Sequence, residues 1–358
     1  MAHRLRRAAR SLRPRPGGCG RRDPRRQARR ARAYLDPGNA GSHLERAEER
    51  LLRVSGVLVI DKPKGPTSHD VVAKLRRALR TRQVGHCGTL DPMATGVLVV
   101  AIEEATKLVP YLTADDKAYE ATIALGVETD SLDADGVETA RVPLTDEARA
   151  ALALAKSDPA APSILTRAIA AEIARTEQVP PAVSAIKVDG TRAHELARRG
   201  EAPELPPRPV AVRAIVLRGV ELDPEPLLHV TVDVAKGFYV RALARDLAAA
   251  LGTVAHLTAL RRTRSGAFTL GDAITLEATP DALRSAILPL DAAARRALPT
   301  SVLDDAGVRA AGFGQKIPVA SVRDPHPGPS AWIDEAGKLV AIGEMLPEGV
   351  GRVLRGMR

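Results

Sequence analysis

Thirteen residues, VGHCGTLDPMATG at positions 84–96, hold three glycines, a histidine, a cysteine and an Asp-Pro pair. The chemistry open to them centres on Asp91. Pro92 biases Asp91 away from the helical region, so its carboxylate is presented at a bend. Gly85, Gly88 and Gly96 let another backbone or a ligand come close. On local chemistry alone an Asp-Pro pair starts a turn more often than it catalyses. A second cluster, AKGFYVRALARDL at 235–247, sets Phe238 and Tyr239 beside Arg241 in a chain with only eight aromatic residues, and Tyr119 stands in DKAYEAT. A guanidinium can keep a carboxylate ionised, and an aromatic face can stack an extruded base. The commoner fate of a tyrosine at a helix start is a core position with its hydroxyl satisfied.

Several chemistries are excluded. The chain has no G-x-x-x-x-G-K-[ST] phosphate loop, no G-x-G-x-x-G, no H-E-x-x-H and no G-x-S-x-G. Its two cysteines, Cys19 and Cys87, form no C-x-x-C pair, which fits a reducing compartment. The acidic DSLDADG segment resembles a calcium loop, but Val142 stands where the closing glutamate is needed, so a surface loop is expected. A mechanism without metal or cofactor remains.

The elements that must position these residues begin abruptly at GVLVIDKPKGPTSHDVV. Gly56 to Ile60 reads as a strand, KPKGP as a turn, and Thr67 or Ser68 as the cap of a helix whose apolar face is Val71, Val72, Leu75 and Leu79. The run 97–102 predicts a buried strand, 117–126 alternates as a strand, and 140–176 is alanine-rich and helical. VPPAVSAIKVDG predicts a loop and strand, RPVAVRAIVLRGVEL and LLHVTVDVA a strand pair, and 239–251 a helix ending at Gly252. From about 298 the pattern changes to short strands and turns, predicting a small separate β domain. No apolar run approaches the roughly 18 residues a membrane span requires.

The net charge of +10 is concentrated in residues 1–53, which carry 16 arginines, five acids and hence +11, leaving the remaining 305 residues near −1. That arginine-, glycine- and proline-rich segment predicts disorder. With 43 arginines against 10 lysines, a GC-rich coding bias makes it read best as a translated leader, the functional protein beginning near Val54. A basic RNA-binding arm and a targeting peptide are the alternatives.

GVLVIDKPKGPTSHDVV, VGHCGTLDPMATGVLVV, ATKLVPYL, DKAYEATIALG, TDSLDADG, VPPAVSAIKVDG, AKGFYVRALARDL and AHLTALRRTRSGAF, in this order, resemble the TruB class of bacterial tRNA pseudouridine synthases. The resemblance spans about 54–290 and more weakly extends to a PUA-like RNA-binding tail. It implies an α+β fold, with a mixed, mainly antiparallel sheet flanked by helices over 54–297 and a β-rich PUA-like domain over 298–358. It also implies an isomerase that converts the TΨC-loop uridine, position 55 of tRNA, without cofactor or guide RNA, acting as a cytoplasmic monomer on the T-arm.

By the same resemblance Asp91 is the nucleophile and Arg241 its counter-ion. Tyr119 stacks the base and transfers a proton, Leu260 floors the pocket and Tyr239 walls it. His86 fills the gap left by the flipped base, Lys62 supports the loop and Lys107 lies near the RNA. The arginines at 76, 77, 80, 82, 261, 262 and 264 then become a basic patch for phosphates. Two departures, Val183 for an aromatic and His194 for tyrosine, border RNA-facing loops. A guide-RNA-dependent dyskerin-type subunit and a tRNA-binding folding chaperone are the alternatives.

Overall fold

The computed structural model describes residues 55–357 apart from 114, 115, 185, 189, 198 and 202. The expectations for residues 1–53 lie outside that range.

Strand β1 (Gly56–Lys62) alternates Leu58 and Ile60 on one face with Val57 and Val59 on the other. Helix α1 (Ser68–Ala78) starts at a capping box between Thr67 and Asp70, and Val71, Val72 and Leu75 on its inner face are buried. Strand β2 (Val84–His86) and strand β3 (Thr95–Ile102) flank the Asp91 loop, and β4 (Lys117–Leu125) follows. The alanine-rich stretch divides into α2 (Asp146–Ser157) and α3 (Ile164–Ile173). Then come β5 (Val212–Glu221), β6 (Leu227–Val234), α4 (Val240–Ala250) and β7 (Ala255–Ser265).

The sheet runs β5-β6-β4-β7-β3-β1. All neighbours are antiparallel except β7 beside β3, and β1 also pairs in parallel with Ile274–Thr275. One face, with Leu58, Leu98, Ile123 and Val230, packs against α1, α2, α3 and α4. The mixed α+β architecture is the expected one.

The second sheet, six-stranded, is built from residues 300–356, with helix Asp305–Gly312 alongside. Beyond its own core around the fully buried Trp332, this segment sends Ala331, Ile333, Leu339 and Ile342 into a cluster with Val57, Val59, Val97, Val99 and Ala101. Those are the reverse faces of β1 and β3.

Strand β7 went unassigned from sequence because its pairing with β4 shifts register between Leu257 and Ala259 and again between Arg262 and Arg264. Two irregularities in eleven residues erase the alternation by which a strand is recognised.

Candidate active site

The Asp91 loop is held at nearly every residue. Ser68, buried at the start of α1, clamps Leu90 from both sides: its Oγ donates to the Leu90 carbonyl at 3.0 Å and accepts from the Leu90 N–H at 2.9 Å. Gly65 N–H donates to the Pro92 carbonyl at 2.9 Å. Lys62, fully buried, donates from Nζ to the carbonyls of Ala94 at 2.7 Å, Pro92 at 3.2 Å and Pro63 at 3.1 Å. Arg262, also fully buried, donates to Val97 at 2.6 Å, Gly88 at 3.1 Å and Thr89 at 3.4 Å.

At the far end of the loop Gly96 has φ +99, and a Cβ there would stand 2.2 Å from the Arg262 carbonyl oxygen. Gly96→Ala is therefore expected to destabilise the fold by about 2 kcal/mol or more, measured by urea denaturation, because β3 and β7 must separate to admit the methyl.

With the backbone fixed, the Asp91 carboxylate meets Arg241, whose Nε lies 2.9 Å from Oδ2. Arg241 is the second residue of α4, which begins where Gln178 grips Tyr239. Gln178 Oε1 accepts from the Tyr239 N–H at 2.9 Å, and Nε2 donates to its carbonyl at 3.2 Å. The Arg241 side chain is only 7% exposed and that of Asp91 34%, so the guanidinium backs a largely enclosed carboxylate that keeps a narrow opening.

Arg241 Nη1 also donates to the Ser131 carbonyl at 2.8 Å and lies 3.6 Å from Asp133 Oδ2. Asp133 is buried and accepts from Ser131 Oγ at 2.6 Å and from the Asp135 N–H at 3.1 Å. The acidic segment expected as a surface loop is thus partly drawn inside. A bridge between Asp133 and Leu257 of β7 ties it to the sheet, with Leu132 held at φ +60. Asp133 belongs to the site, and no local pattern distinguished it from its acidic neighbours.

The remaining expected residues divide. Tyr119 and Leu260 lie on adjacent strands, Leu260 opposite Ala121, and share the buried cluster with Leu90, Met93 and Val240. Tyr239 feels both Asp91 and Arg241, and burial pushes its hydroxyl above the usual phenol value. His86 meets His69 edge-on, ring centroids 5.2 Å apart, and its Nδ1 is buried without a hydrogen-bond partner among the described residues. Burial, then the neighbouring His69 and Arg262, holds its imidazole below the usual value. Lys107 is taken up by an ion pair with Glu104 on the 3-10 turn after β3, its one such partner among the described residues.

Of the arginines expected as a basic patch at 261, 262 and 264, only Arg262 is withdrawn from the surface; Arg261 and Arg264 stay about one-third exposed, each beside a carboxylate. Arg261 forks onto Asp61 at 2.8 and 3.1 Å, Arg264 grips Asp233 at 2.8 Å, and Arg262 is internal. Arg262 is spent on buried carbonyls, and the other two are partly neutralised by the acids they face.

Burial lifts the Asp91 carboxyl above the ordinary carboxylate value, and Asp133 adds to this. Arg241 and Lys62 pull the other way. Burial also lowers the Lys62 ammonium to about 8, against the pull of Asp91 and Asp135. A rate that needs Asp91 ionised and Lys62 charged is therefore expected to fall on both sides. The acid limb lies above the ordinary carboxylate range and the alkaline limb near pH 8, readable from kcat against pH. Among the described residues no group of acidic, histidine or cysteine side chains could hold a metal.

Two family models match in tandem: the TruB family pseudouridylate synthase N-terminal domain over residues 76–240 and the tRNA pseudouridylate synthase B C-terminal domain over 241–295. A tRNA pseudouridine synthase B from Corynebacterium aurimucosum is 46% identical, the match covering 81% of this chain and 95% of the relative. One from Mycobacteroides abscessus is 43% identical over 80% and 91%. Among solved structures a Cbf5-Nop10-Gar1 complex is similar at TM-score 0.62 and 27% identity, covering 87% of this chain and 86% of that one. An H/ACA RNP bound to a substrate RNA containing 2'-deoxyuridine gives TM-score 0.61 and 25% identity, with 85% of each chain covered. With both domain models in sequence and near-complete overlap with curated relatives, the chain belongs to the TruB family of tRNA pseudouridine synthases.

Proposed function

We propose that the chain converts the T-loop uridine at tRNA position 55 to pseudouridine with Asp91 as nucleophile. The observation that carries this reading is the Asp91–Arg241 pair at 2.9 Å, set in a loop whose carbonyls are gripped by buried cations. Once the target nucleotide is flipped out, Asp91 attacks it and the N-glycosidic bond breaks. The base turns, its C5 bonds to C1′ of the sugar, the bond to Asp91 is released to regenerate the carboxylate, the C5 proton is removed and N1 takes up a proton. Arg241 keeps Asp91 ionised as the substrate displaces water, and its hold on Ser131 and Asp133 keeps the guanidinium in place.

Tyr119 stacks on the flipped base and serves the proton transfer, Leu260 floors the pocket, and Tyr239 walls it. Flipping costs a few kcal/mol of unstacking, part of which the flat His86 ring recovers by filling the gap. A neutral imidazole suits that task, because it enters the stack without carrying a charge into it. Residues 298–358 act as a PUA-like RNA-binding domain. The enzyme works in the cytoplasm as a monomer on tRNA alone.

The likeness to Cbf5-type structures raises the guide-RNA-dependent alternative, but the relatives at 43–46% identity are named as tRNA enzymes. Purified protein given an unmodified tRNA transcript and no guide RNA is expected to form pseudouridine at one T-loop uridine, detected by carbodiimide and primer extension. A requirement for added guide RNA would reverse the choice. A variant without product that still accelerates tRNA folding would add a chaperone role.

A further inference from the structure

The three arginines near the end of β7 have different surroundings. Arg261 and Arg264 each face a carboxylate, whereas Arg262 forms no ion pair among the described residues, although it is the one fully buried. A buried cation without a counter-ion is costly, and a well-packed apolar side chain fills the same volume more favourably. The guanidinium offers something an apolar side chain lacks, a rigid planar fork with donors pointing in several directions. Here those donors reach the carbonyls of Gly88 and Thr89, just before Asp91, and of Val97, just after the loop closes. The Arg262 peptide meanwhile lies against Gly96 so closely that no Cβ fits between them.

We propose that Arg262 is a positioning residue for the reaction: its guanidinium clasps both ends of the Asp91 loop and fixes the carboxylate against Arg241. The proposal rests on Asp91 being the nucleophile. Lys62 has a different task, since its ammonium holds the carbonyls of Pro92 and Ala94 inside the loop and reaches neither end. Release of one end would leave Asp91 free to slide along Arg241. A displacement of about 1 Å at a reacting group is enough to cost on the order of 100-fold in rate.

The test uses the full-length chain with Arg262→Lys, which keeps the charge but gathers its donors on a single nitrogen and so loses the fork that spans the loop. It is expected to fold with a thermal midpoint within a few degrees of wild type and to bind tRNA transcript with KM within about threefold. Its kcat is expected to fall about 100-fold. The acid limb of kcat is expected to move to higher pH, because an Asp91 that slips from Arg241 loses the partner that favours its ionised form. Arg262→Met is expected to lose more rate and stability as well.

A folded Arg262→Lys enzyme with kcat within about threefold of wild type would overturn the proposal. So would a loss of kcat with the acid limb unmoved, or failure of this charge-keeping variant to fold. Asp91→Asn measured in parallel separates the two ideas: activity in that variant removes the nucleophile assignment itself. An inactive Asp91→Asn beside a fully active Arg262→Lys removes only the clasp.

Discussion

Asp91→Asn is expected to form no pseudouridine under conditions in which the wild-type chain converts its tRNA, and to bind tRNA with a Kd within about threefold of wild type. The amide occupies the same volume but has no nucleophilic oxygen, and phosphate contacts rather than one side chain at the reacting base dominate RNA affinity in general. The fold should tolerate the change. Arg241 keeps its bond to the Ser131 carbonyl and its neighbour Asp133.

Burial raises the Asp91 carboxyl in the folded chain above its unfolded value. The folded state therefore resists losing this proton, and the group costs stability as pH rises from the unfolded to the folded value and beyond. Asparagine avoids that cost, so the thermal midpoint at neutral pH should be equal to or above wild type. The difference should shrink as the solution is acidified through the carboxylate range. Product from Asp91→Asn in quenched single-turnover reactions would refute the assignment. A midpoint several degrees lower would assign the lost rate to unfolding.

Arg241→Met combines two losses. Asp91 loses the cation that favours its ionised form, and buried Asp133 is left with hydroxyl and amide donors but no guanidinium nearby. Removing one partner of a buried ion pair costs about 3 kcal/mol, and removing a charge preorganised beside a nucleophile costs on the order of 10³ in kcat. Arg241→Lys separates the effects. A single ammonium cannot reach Asp91, the Ser131 carbonyl and Asp133 together, so this variant should keep most of the stability while losing about 100-fold in kcat.

Where the sequence followed a regular period, its elements were legible. The strand at 56, the helix capped at Thr67 and the strands ending at Ile102 and Leu125 lie within a few residues of expectation, because alternation and capping are local. The site was legible less directly. Asp91 and Arg241 are 150 residues apart, and only their resemblance to a known family brought them together in advance.

Asp133 and Arg262 were misread for a shared reason. Runs of acids or arginines usually signify solvent, and what makes these two internal is a partner supplied by a distant strand or loop. Gln178 was equally hidden, since a lone glutamine gives no sign that it will brace the helix bearing Arg241.

The apolar side chains that Ala331, Ile333, Leu339 and Ile342 place behind β1 and β3 bear on how the chain can be cut. A boundary drawn at residue 297 follows a change of pattern, but it passes through a shared interior. Truncation there would strip the lining from β1 and from β3, the strand into which the Asp91 loop leads. Melting of the intact protein should then appear as one cooperative transition over both sheets, and a heat-labile tail should take the chemistry with it. The tail would thus be part of the catalytic scaffold whether or not it ever touches RNA.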